Sequence, residues 1–229
     1  MDRVQKIIAN AGFCSRRDAE RLIADGRVKV DDKVISLGDK AESASQVSID
    51  DRPLQVDDPL TIAYYKPVGV QTSLYDEHTP TLAPLLREVG QRLIPAGRLD
   101  MDAEGLLILT NDGDLANLIM HPRYEKNKVY RARMDCPVTD KHLGMLREGV
   151  SLHDGPVTIG FVERVSPHVV RLSVHEGRNK IVKRLLRKVT NGFVEQLVRE
   201  RIAGVDLGDL SSGDYRVLSD EEISVLKSS

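Results

Sequence analysis

The chain has 229 residues, of which 41% are hydrophobic and 30% charged, so it is long enough to bury a core in one large domain or in a medium domain with a small one attached. The longest apolar runs, such as residues 106–109, are too short for a membrane-spanning helix. The first residues lack the basic-then-apolar layout of a signal peptide, and Cys14 and Cys136 stand far apart. We therefore expect a cytoplasmic protein with reduced thiols and no membrane partner.

The net charge of -2 is an average over segregated charges. Residues 31–58 and 206–222 are acidic, whereas residues 171–201 carry nine arginines and lysines against three glutamates. Binding to a polyanion requires a local positive patch rather than a high overall pI. A charged run can also be an ordinary solvated face, so this feature alone leaves both interpretations open.

The first sixty residues predict a compact unit of two helices and a small sheet. Residues 4–10 repeat apolar side chains at helical spacing, and Ser15 is placed to cap a second helix that ends at Gly26. Residues 27–35 alternate around two aspartates, which is typical of a β-hairpin. Two prolines flank the next polar stretch, so we place a domain boundary between residues 58 and 59.

From Leu60 onward, strands and helices mix without strict alternation. The pattern predicts helices within residues 79–90, 112–121, 138–150 and 178–189, and it predicts strands within residues 60–65, 105–110, 128–134, 156–165 and 169–177. Such an order favours an α+β fold over a doubly wound sheet.

The segment LDMDAEGLLILTND holds three carboxylates on alternate positions, Asp100, Asp102 and Glu104, followed by a glycine. This spacing is typical of the start of a calcium-binding EF-hand loop. Such a loop needs a bidentate glutamate at its twelfth position, where Asn111 offers one uncharged oxygen. The six histidines are scattered without ligand spacing, so the sequence predicts no metal site.

Asp100 differs from the other two acids in its neighbours. It follows Gly97-Arg98-Leu99 directly and lies just before a predicted buried strand. A carboxylate close to a cation stays ionised, and a stiff element positions it, as a nucleophile or base requires. We expect Asp102 and Glu104 merely to point into water.

Residues 97–113, GRLDMDAEGLLILTNDG, resemble the signature of the pseudouridine synthases, specifically the bacterial group that modifies ribosomal RNA. Segments resembling further motifs of that family occur in the same order, namely YYKPVGVQTS, KNKVYRARM and HEGRNKIVKRLL. Residues 2–50 resemble the RNA-binding domain named after a small-subunit ribosomal protein. The resemblance covers nearly the whole chain, and it is closer to members that act on large-subunit rRNA.

The resemblance implies an α+β fold with a mixed, largely antiparallel sheet in a catalytic domain at residues 59–229. It also implies a small helix-helix-sheet RNA-binding domain at residues 1–58. Enzymes of this family detach uracil from its ribose, rotate it and rejoin it through carbon 5, without a cofactor. The expected partner is ribosomal RNA, either free or in a pre-ribosomal particle, and we expect a monomer.

The resemblance also assigns residues. The essential aspartate of the family maps onto Asp100, which either attacks the anomeric carbon or removes a neighbouring sugar proton. The tyrosine that packs on the target base maps onto Tyr130, which could also be an ordinary strand aromatic. The basic residue that pairs with the aspartate falls on Lys183, where the family usually has Arg, and Arg178 or Lys180 could share this role. Ile181 stands where the family usually has Gln. The expected substrate-binding residues are Arg98, Arg178, Lys180, Arg184, Lys66, Arg16, Arg17 and Arg27.

The predicted helix after residue 177 has an apolar face and a basic face. We expect the basic face to lie beside Asp100 and to attract phosphates with salt-sensitive affinity. A competing hypothesis is a non-catalytic rRNA-binding or ribosome-assembly factor on the same scaffold. The unusual Ile181 and Lys183 keep this hypothesis open, whereas Asp100 and Tyr130 argue against it.

Overall fold

The N-terminal part of the chain forms two helices and a small sheet. The structure is a computed structural model that describes residues 1–42 and 44–228. In chain order the first elements are β1 (Asp2–Arg3), α1 (Val4–Asn10), α2 (Arg16–Ala24), β2 (Val28–Val30), β3 (Lys33–Val34), β4 (Lys40–Ala41), β5 (Val47–Ile49) and β6 (Arg52–Pro53). Their apolar side chains pack into a separate core built from residues 4–54.

Local sequence signals explain these elements. The Ser15 side chain accepts a hydrogen bond from the backbone N–H of Asp18, which caps α2 as predicted. β2 and β3 form the predicted hairpin, and both turn residues, Asp31 and Asp32, have positive φ angles of 48° and 63°. Two successive positive φ angles match the right-handed twist of paired strands, so this turn favours the hairpin.

The rest of the chain folds around one large mixed sheet. The elements of this part of the chain are β7 (Thr61–Lys66), α3 (Ala83–Val89), β8 (Ile94–Pro95), β9 (Glu104–Thr110), α4 (Gly113–Met120), β10 (Lys128–Met134), α5 (Asp140–Glu148), β11 (Val150–Leu152), β12 (Gly155–Val157), β13 (Ile159–Ser166), β14 (Val169–Val174), α6 (Ile181–Thr190), β15 (Val194–Ile202), β16 (Val205–Asp206), β17 (Tyr215–Val217) and α7 (Asp220–Ser228). The strand order is β13-β14-β10-β15-β9-β7-β17. The β9–β15 pair is parallel and its neighbours in the sheet are antiparallel, which confirms the α+β, largely antiparallel prediction.

Helices cover both faces of the sheet. Leu143 and Leu146 of α5 and Leu185 of α6 pack in one core cluster with Tyr130. A second cluster joins α4 and α7 to β9, and a third includes α3. The apolar positions of α6 are buried as its periodicity predicts. None of the helices in the described part of the chain is both long and apolar enough to cross a membrane.

Strand β15 was missing from the sequence prediction, although it lies at the centre of the sheet between β10 and β9. Its sequence, VEQLVRERI, carries charges at alternating and adjacent positions. Two of these charged residues have partners in the tertiary structure: Glu200 pairs with Arg131 and Arg171, and the buried Arg199 donates hydrogen bonds to two backbone carbonyls. Hydrophobic alternation fails here because tertiary partners compensate the charges.

Candidate active site

Asp100 lies in a loop between β8 and β9 that is fixed on both sides. The Thr72 hydroxyl donates to the carbonyl of Leu99 (2.6 Å) and accepts from its N–H (3.1 Å). The N–H of Gly69 donates to the carbonyl of Met101 at 2.8 Å. The segment from Gly69 to Thr72 therefore holds the main chain directly before and after Asp100, which fixes the backbone that carries this carboxylate.

A cavity of about 350 Å³ opens at Asp100, at the lower end of the size range of small-ligand sites. The loop before β9, strands β10 and β15 and the segment that leads into α6 all contribute to its wall. Its lining includes Arg98, Leu99, Asp100, Met120, Lys128, Tyr130, Arg178, Lys180, Ile181, Leu197 and Arg199. Segments that are far apart in the sequence thus meet at one site.

The Asp100 carboxylate is partly exposed in this cavity. Among the residues that the structure describes, no side chain forms an ion pair or a hydrogen bond with it. Tyr130 is 8% exposed and packs in the same core cluster as Leu99. Its side chain also lines the cavity, so the aspartate and the tyrosine flank a common space.

Lys183 contacts a different acid from the one that was predicted. Its ammonium donates to the carbonyl oxygen of Asp102 at 2.7 Å and lies 3.0 Å from the Asp102 carboxylate. Lys180 lies 3.0 Å from the same carboxylate. The prediction that Lys183 pairs with Asp100 is therefore wrong in this structure, because the Asp102 carboxylate is the one within ion-pair distance of the Lys183 ammonium.

Asp102 is exposed, as expected, but it does not merely point into water, because it pairs with Lys180 and Lys183. Partial burial by itself would raise its pKa, but hydrogen bonds from Lys183 and Lys180 outweigh the burial and hold the pKa below its usual value. Glu104 is likewise engaged, since it accepts hydrogen bonds from the Tyr65 hydroxyl and the Gln196 amide. Asp102 and Glu104 therefore have different partners, which is incompatible with a shared calcium cage.

Arg178 and Arg184 bind the β11–β12 hairpin. Arg178 donates to the carbonyls of Gly155 and Pro156 and to Asp154, and its Nε lies 2.6 Å from Glu176. Arg184 pairs with Asp154 at 2.8 Å. These donors are used within the protein, where they hold a hairpin at the edge of the site, and direct substrate binding by the two arginines stays a prediction.

Lys66 is fully buried, with 0% of its surface exposed. Its ammonium donates to the carbonyls of Pro67 and Val70, both at 2.8 Å. Burial, followed by the nearby charge of Arg199, lowers its pKa to about 8. The prediction of direct substrate contact is wrong for Lys66, which instead fixes the turn that supports the Asp100 loop.

The remaining predicted cations are exposed. Arg98 and Lys180 line the cavity, and Arg16 and Arg17 are exposed on α2. Arg27 forms an ion pair with Asp50. Their roles in substrate binding stay predictions.

A second cleft lies where the N-terminal part meets the sheet. Lys6 pairs with Asp114 at 2.8 Å, and Arg92 donates to the carbonyl of Cys14 at 2.8 Å. The cleft has a volume of about 500 Å³, and Arg16 and Met120 belong to its lining. Met120 also lines the Asp100 cavity, so the two spaces adjoin.

Sequence reasoning missed Arg199 as a site residue. It is 2% exposed, and its side chain lines the cavity. The only signal in the sequence is that Leu197 and Arg199 occupy alternate positions of one strand, which is weak without knowledge of the strand. No cluster of three or more potential metal ligands occurs within residues 1–42 and 44–228.

Comparison with known proteins identifies two sequence families in this chain. Residues 61–188 match the family described as RNA pseudouridylate synthase, and residues 2–47 match the S4 domain. Ribosomal large subunit pseudouridine synthase B of Bacillus subtilis is 35% identical over 99% of this chain and 96% of that protein. The dual-specificity RNA pseudouridine synthase RluF of Salmonella typhi is 32% identical over 96% of this chain and 77% of that protein.

A solved crystal structure of a pseudouridylate synthase superimposes with a TM-score of 0.72 and 28% identity, covering 99% of this chain and 100% of that one. Fold and site therefore define an S4-domain protein with the scaffold of an RNA-modifying isomerase. The chain belongs to the RNA pseudouridylate synthase family, and it is a pseudouridine synthase. The resemblance found in the sequence is confirmed.

Proposed function

We propose that this enzyme uses Asp100 to convert a uridine of ribosomal RNA into pseudouridine, and that the substrate is the rRNA of the large subunit. The observation that carries this proposal is the position of Asp100, which lies on a loop with a fixed main chain and lines the same cavity as Tyr130. The similarity to a large-subunit synthase over 99% of the chain supports rRNA as the substrate.

The chemistry needs one well-placed anion. The bond between N1 of uracil and C1′ of ribose breaks, the base rotates, and a bond between C5 and C1′ forms while the C5 proton is lost and N1 gains a proton. Substrate and product are isomers, so the reaction needs no redox partner and no cofactor. An unpaired, positioned carboxylate suits attack at C1′ as well as removal of a neighbouring sugar proton.

Tyr130 supports the same proposal. Its ring is almost completely buried and has limited freedom to move, so the part that faces the cavity offers a rigid surface for a flat base. The target base must leave its stack to reach a cavity of this size. We assign Tyr130 to the packing of the flipped base during its rotation.

Residues 1–58 serve in this proposal as the RNA-binding domain, and residues 59–229 serve as the catalytic domain of a monomer that acts on free rRNA or on a pre-ribosomal particle. The cleft at Arg16 adjoins the cavity through Met120, so an RNA strand bound to the first domain has a short path to Asp100. Phosphate contacts to exposed arginines would supply affinity rather than sequence specificity.

The test uses transcripts of large-subunit and small-subunit rRNA that carry uridine tritiated at C5. Pseudouridine formation releases this tritium into water. We expect release from the large-subunit transcript with the wild-type protein and none above background with Asp100→Asn, which keeps the shape of the side chain and removes its charge. Release by both proteins would refute the role of Asp100. Release by neither, together with RNA binding, would favour the non-catalytic rRNA-binding factor.

A further inference from the structure

Phe193, in the turn between α6 and β15, is 56% exposed. The chain has three phenylalanines and no tryptophan, so large aromatic rings are scarce in it. A single exposed apolar side chain is common on protein surfaces and needs no function of its own. Phe193 differs from such a residue in two respects, namely how its backbone is held and which side chain lies over its ring.

The backbone of Phe193 is fixed by the residues that follow β10. The Asp135 carboxylate accepts a hydrogen bond from the N–H of Phe193 at 2.7 Å, and the N–H of Asp135 donates to the carbonyl of Phe193 at 3.1 Å. The preceding Gly192 is buried so closely against the Sγ of Cys136 that a Cβ would not fit there. The exposed ring therefore stands on a fixed main chain, and a ligand that binds it orders few additional groups.

Arg187, in the last turn of α6, places a cation over this ring. Its Cζ atom lies 4.9 Å from the centre of the Phe193 ring, and the side chain is exposed. Within residues 1–42 and 44–228, its guanidinium has no carboxylate or carbonyl partner. A planar cation that is held by an aromatic face keeps its N–H donors free for acceptors outside the protein.

Arg187 also continues the basic face of α6 away from the cavity. The cations nearer the cavity, Lys180, Lys183 and Arg184, are all paired with carboxylates. Arg187 lies two helical turns beyond Lys180, about 10 Å along the helix axis. Its charge is not compensated in this way, so this end of α6 attracts anions more strongly than the paired cations do.

A second arginine–phenylalanine pair in the chain shows the contrast. Arg171 lies 5.9 Å from the centre of the Phe161 ring, but its guanidinium forms ion pairs with Glu163 and Glu200. Phe161 is 37% exposed. This second pair therefore offers a smaller open aromatic surface and a neutralised cation, which makes Phe161 a matched control for Phe193.

We propose that Phe193 and Arg187 form a stacking platform for one unpaired base of the substrate RNA, and that the Arg187 guanidinium binds the phosphate next to this base. The inference rests on the proposed function, since it takes the bound RNA to be the substrate. Every base has a π face, so the platform adds affinity and fixes the course of the strand without reading its sequence. The uncompensated charge of Arg187 favours a polyanion over an apolar protein surface as the occupant.

The experiment measures the Kd for the large-subunit transcript by filter binding at several salt concentrations. Single-turnover tritium release at saturating enzyme is measured on the same transcript. The variants are Phe193→Ala, Phe193→Leu, Phe193→Tyr and Arg187→Ala, with Phe161→Ala as the control. Thermal melting of each variant shows whether the fold is retained.

We expect Phe193→Ala to raise the Kd about tenfold, which corresponds to the loss of one stacked base. Phe193→Leu should lose about as much, because it keeps an apolar side chain without an aromatic face, whereas Phe193→Tyr should bind within about twofold of wild type. Arg187→Ala should weaken binding and reduce the log–log salt slope by about one, while the Phe193 variants keep the wild-type slope. The loss should appear in the Kd rather than in the rate constant at saturating enzyme. Phe161→Ala should change the Kd less than about twofold.

Several results would overturn the inference. They are a Kd for Phe193→Ala within about twofold of wild type, wild-type binding by Phe193→Leu, a loss in Phe193→Tyr equal to that in Phe193→Ala, and an equal loss in Phe161→Ala. If the Phe193 variants bind the transcript normally but bind a pre-ribosomal particle weakly, the occupant is a protein and the inference is wrong. If Phe193→Ala melts at a lower temperature, the comparison of Phe193→Leu with Phe193→Tyr decides the matter.

Failure of the proposed function looks different. The wild-type protein itself would then release no tritium, or Asp100→Asn would remain active. The Kd comparisons at Phe193 and Arg187 do not depend on the chemical step, so they decide the platform separately.

Discussion

Replacing Gly105 by alanine should destabilise the protein and displace the loop that carries Asp100. Gly105 has a φ of +105°, which a residue with a Cβ adopts only under strain, and the new methyl would lie 2.4 Å from the carbonyl oxygen and 2.7 Å from the amide nitrogen of Arg199. The backbone term costs about 1–2 kcal/mol. Forcing an extra carbon into a packed site costs about 1–3 kcal/mol more, because these neighbours are main-chain atoms that cannot rotate away.

We therefore expect Gly105→Ala to lower the free energy of unfolding by about 3 kcal/mol, a large share of the 5–15 kcal/mol of a typical domain. Urea denaturation followed by circular dichroism measures this change. Tritium release should fall as well, because β9 must move away from β15 and take the Asp100 loop with it. Refolding conditions and protein concentration are kept identical between variants.

Gly144→Ala is the matched control. Gly144 lies inside helix α5, and an added Cβ would meet no atom within 4 Å. The same substitution should therefore stabilise the protein by about 0.5–1 kcal/mol through helix propensity. A Gly105→Ala protein as stable as wild type, or equal destabilisation by both substitutions, would refute the argument that close backbone approach at β15 requires glycine.

Two further predictions concern pH and salt. Lys66 and Lys128 have a pKa of about 8 in the folded protein and 10.5 ordinarily, so between these values the unfolded chain binds more protons and stability rises with pH. Each of these two lysines contributes up to about 1.4 kcal/mol per pH unit to the rise in the free energy of unfolding. Lys128→Met should therefore remove about half of that rise. RNA affinity should fall steeply with salt, and Arg16→Ala should reduce the log–log slope by about one. Arg27→Ala should reduce it less, because Asp50 already neutralises Arg27.

These two predictions are checked by urea titrations at several pH values and by filter binding of the rRNA transcript between low and physiological salt. Wild-type stability that falls between pH 8 and 10 would contradict the first prediction, as would an unchanged slope in Lys128→Met. A salt-independent Kd would remove phosphate contacts from the binding mechanism. An equal effect of the Arg16 and Arg27 substitutions would show that the ion pair with Asp50 does not persist in solution.

Local signals in the sequence determined most elements before any tertiary information was needed. The cap at Ser15, the turn at Asp31-Asp32 and the apolar face of α6 all depend on neighbours within a few residues, and all three occur as predicted. The signature around Asp100 and the separate segments that resemble family motifs identified the enzyme class. Such features can be recognised in the sequence because they arise from short-range geometry or from motifs whose residues are contiguous.

Only the tertiary structure decided which partners the charged side chains contact. Lys183 reaches Asp102 rather than Asp100, Lys66 turns inward onto two carbonyls, and Arg178 binds a hairpin. Arg199 becomes part of the site because a parallel pairing places β15 beside β9. A long flexible cation has many possible partners within reach, and its choice depends on burial and on strand order, which no local pattern of the sequence encodes.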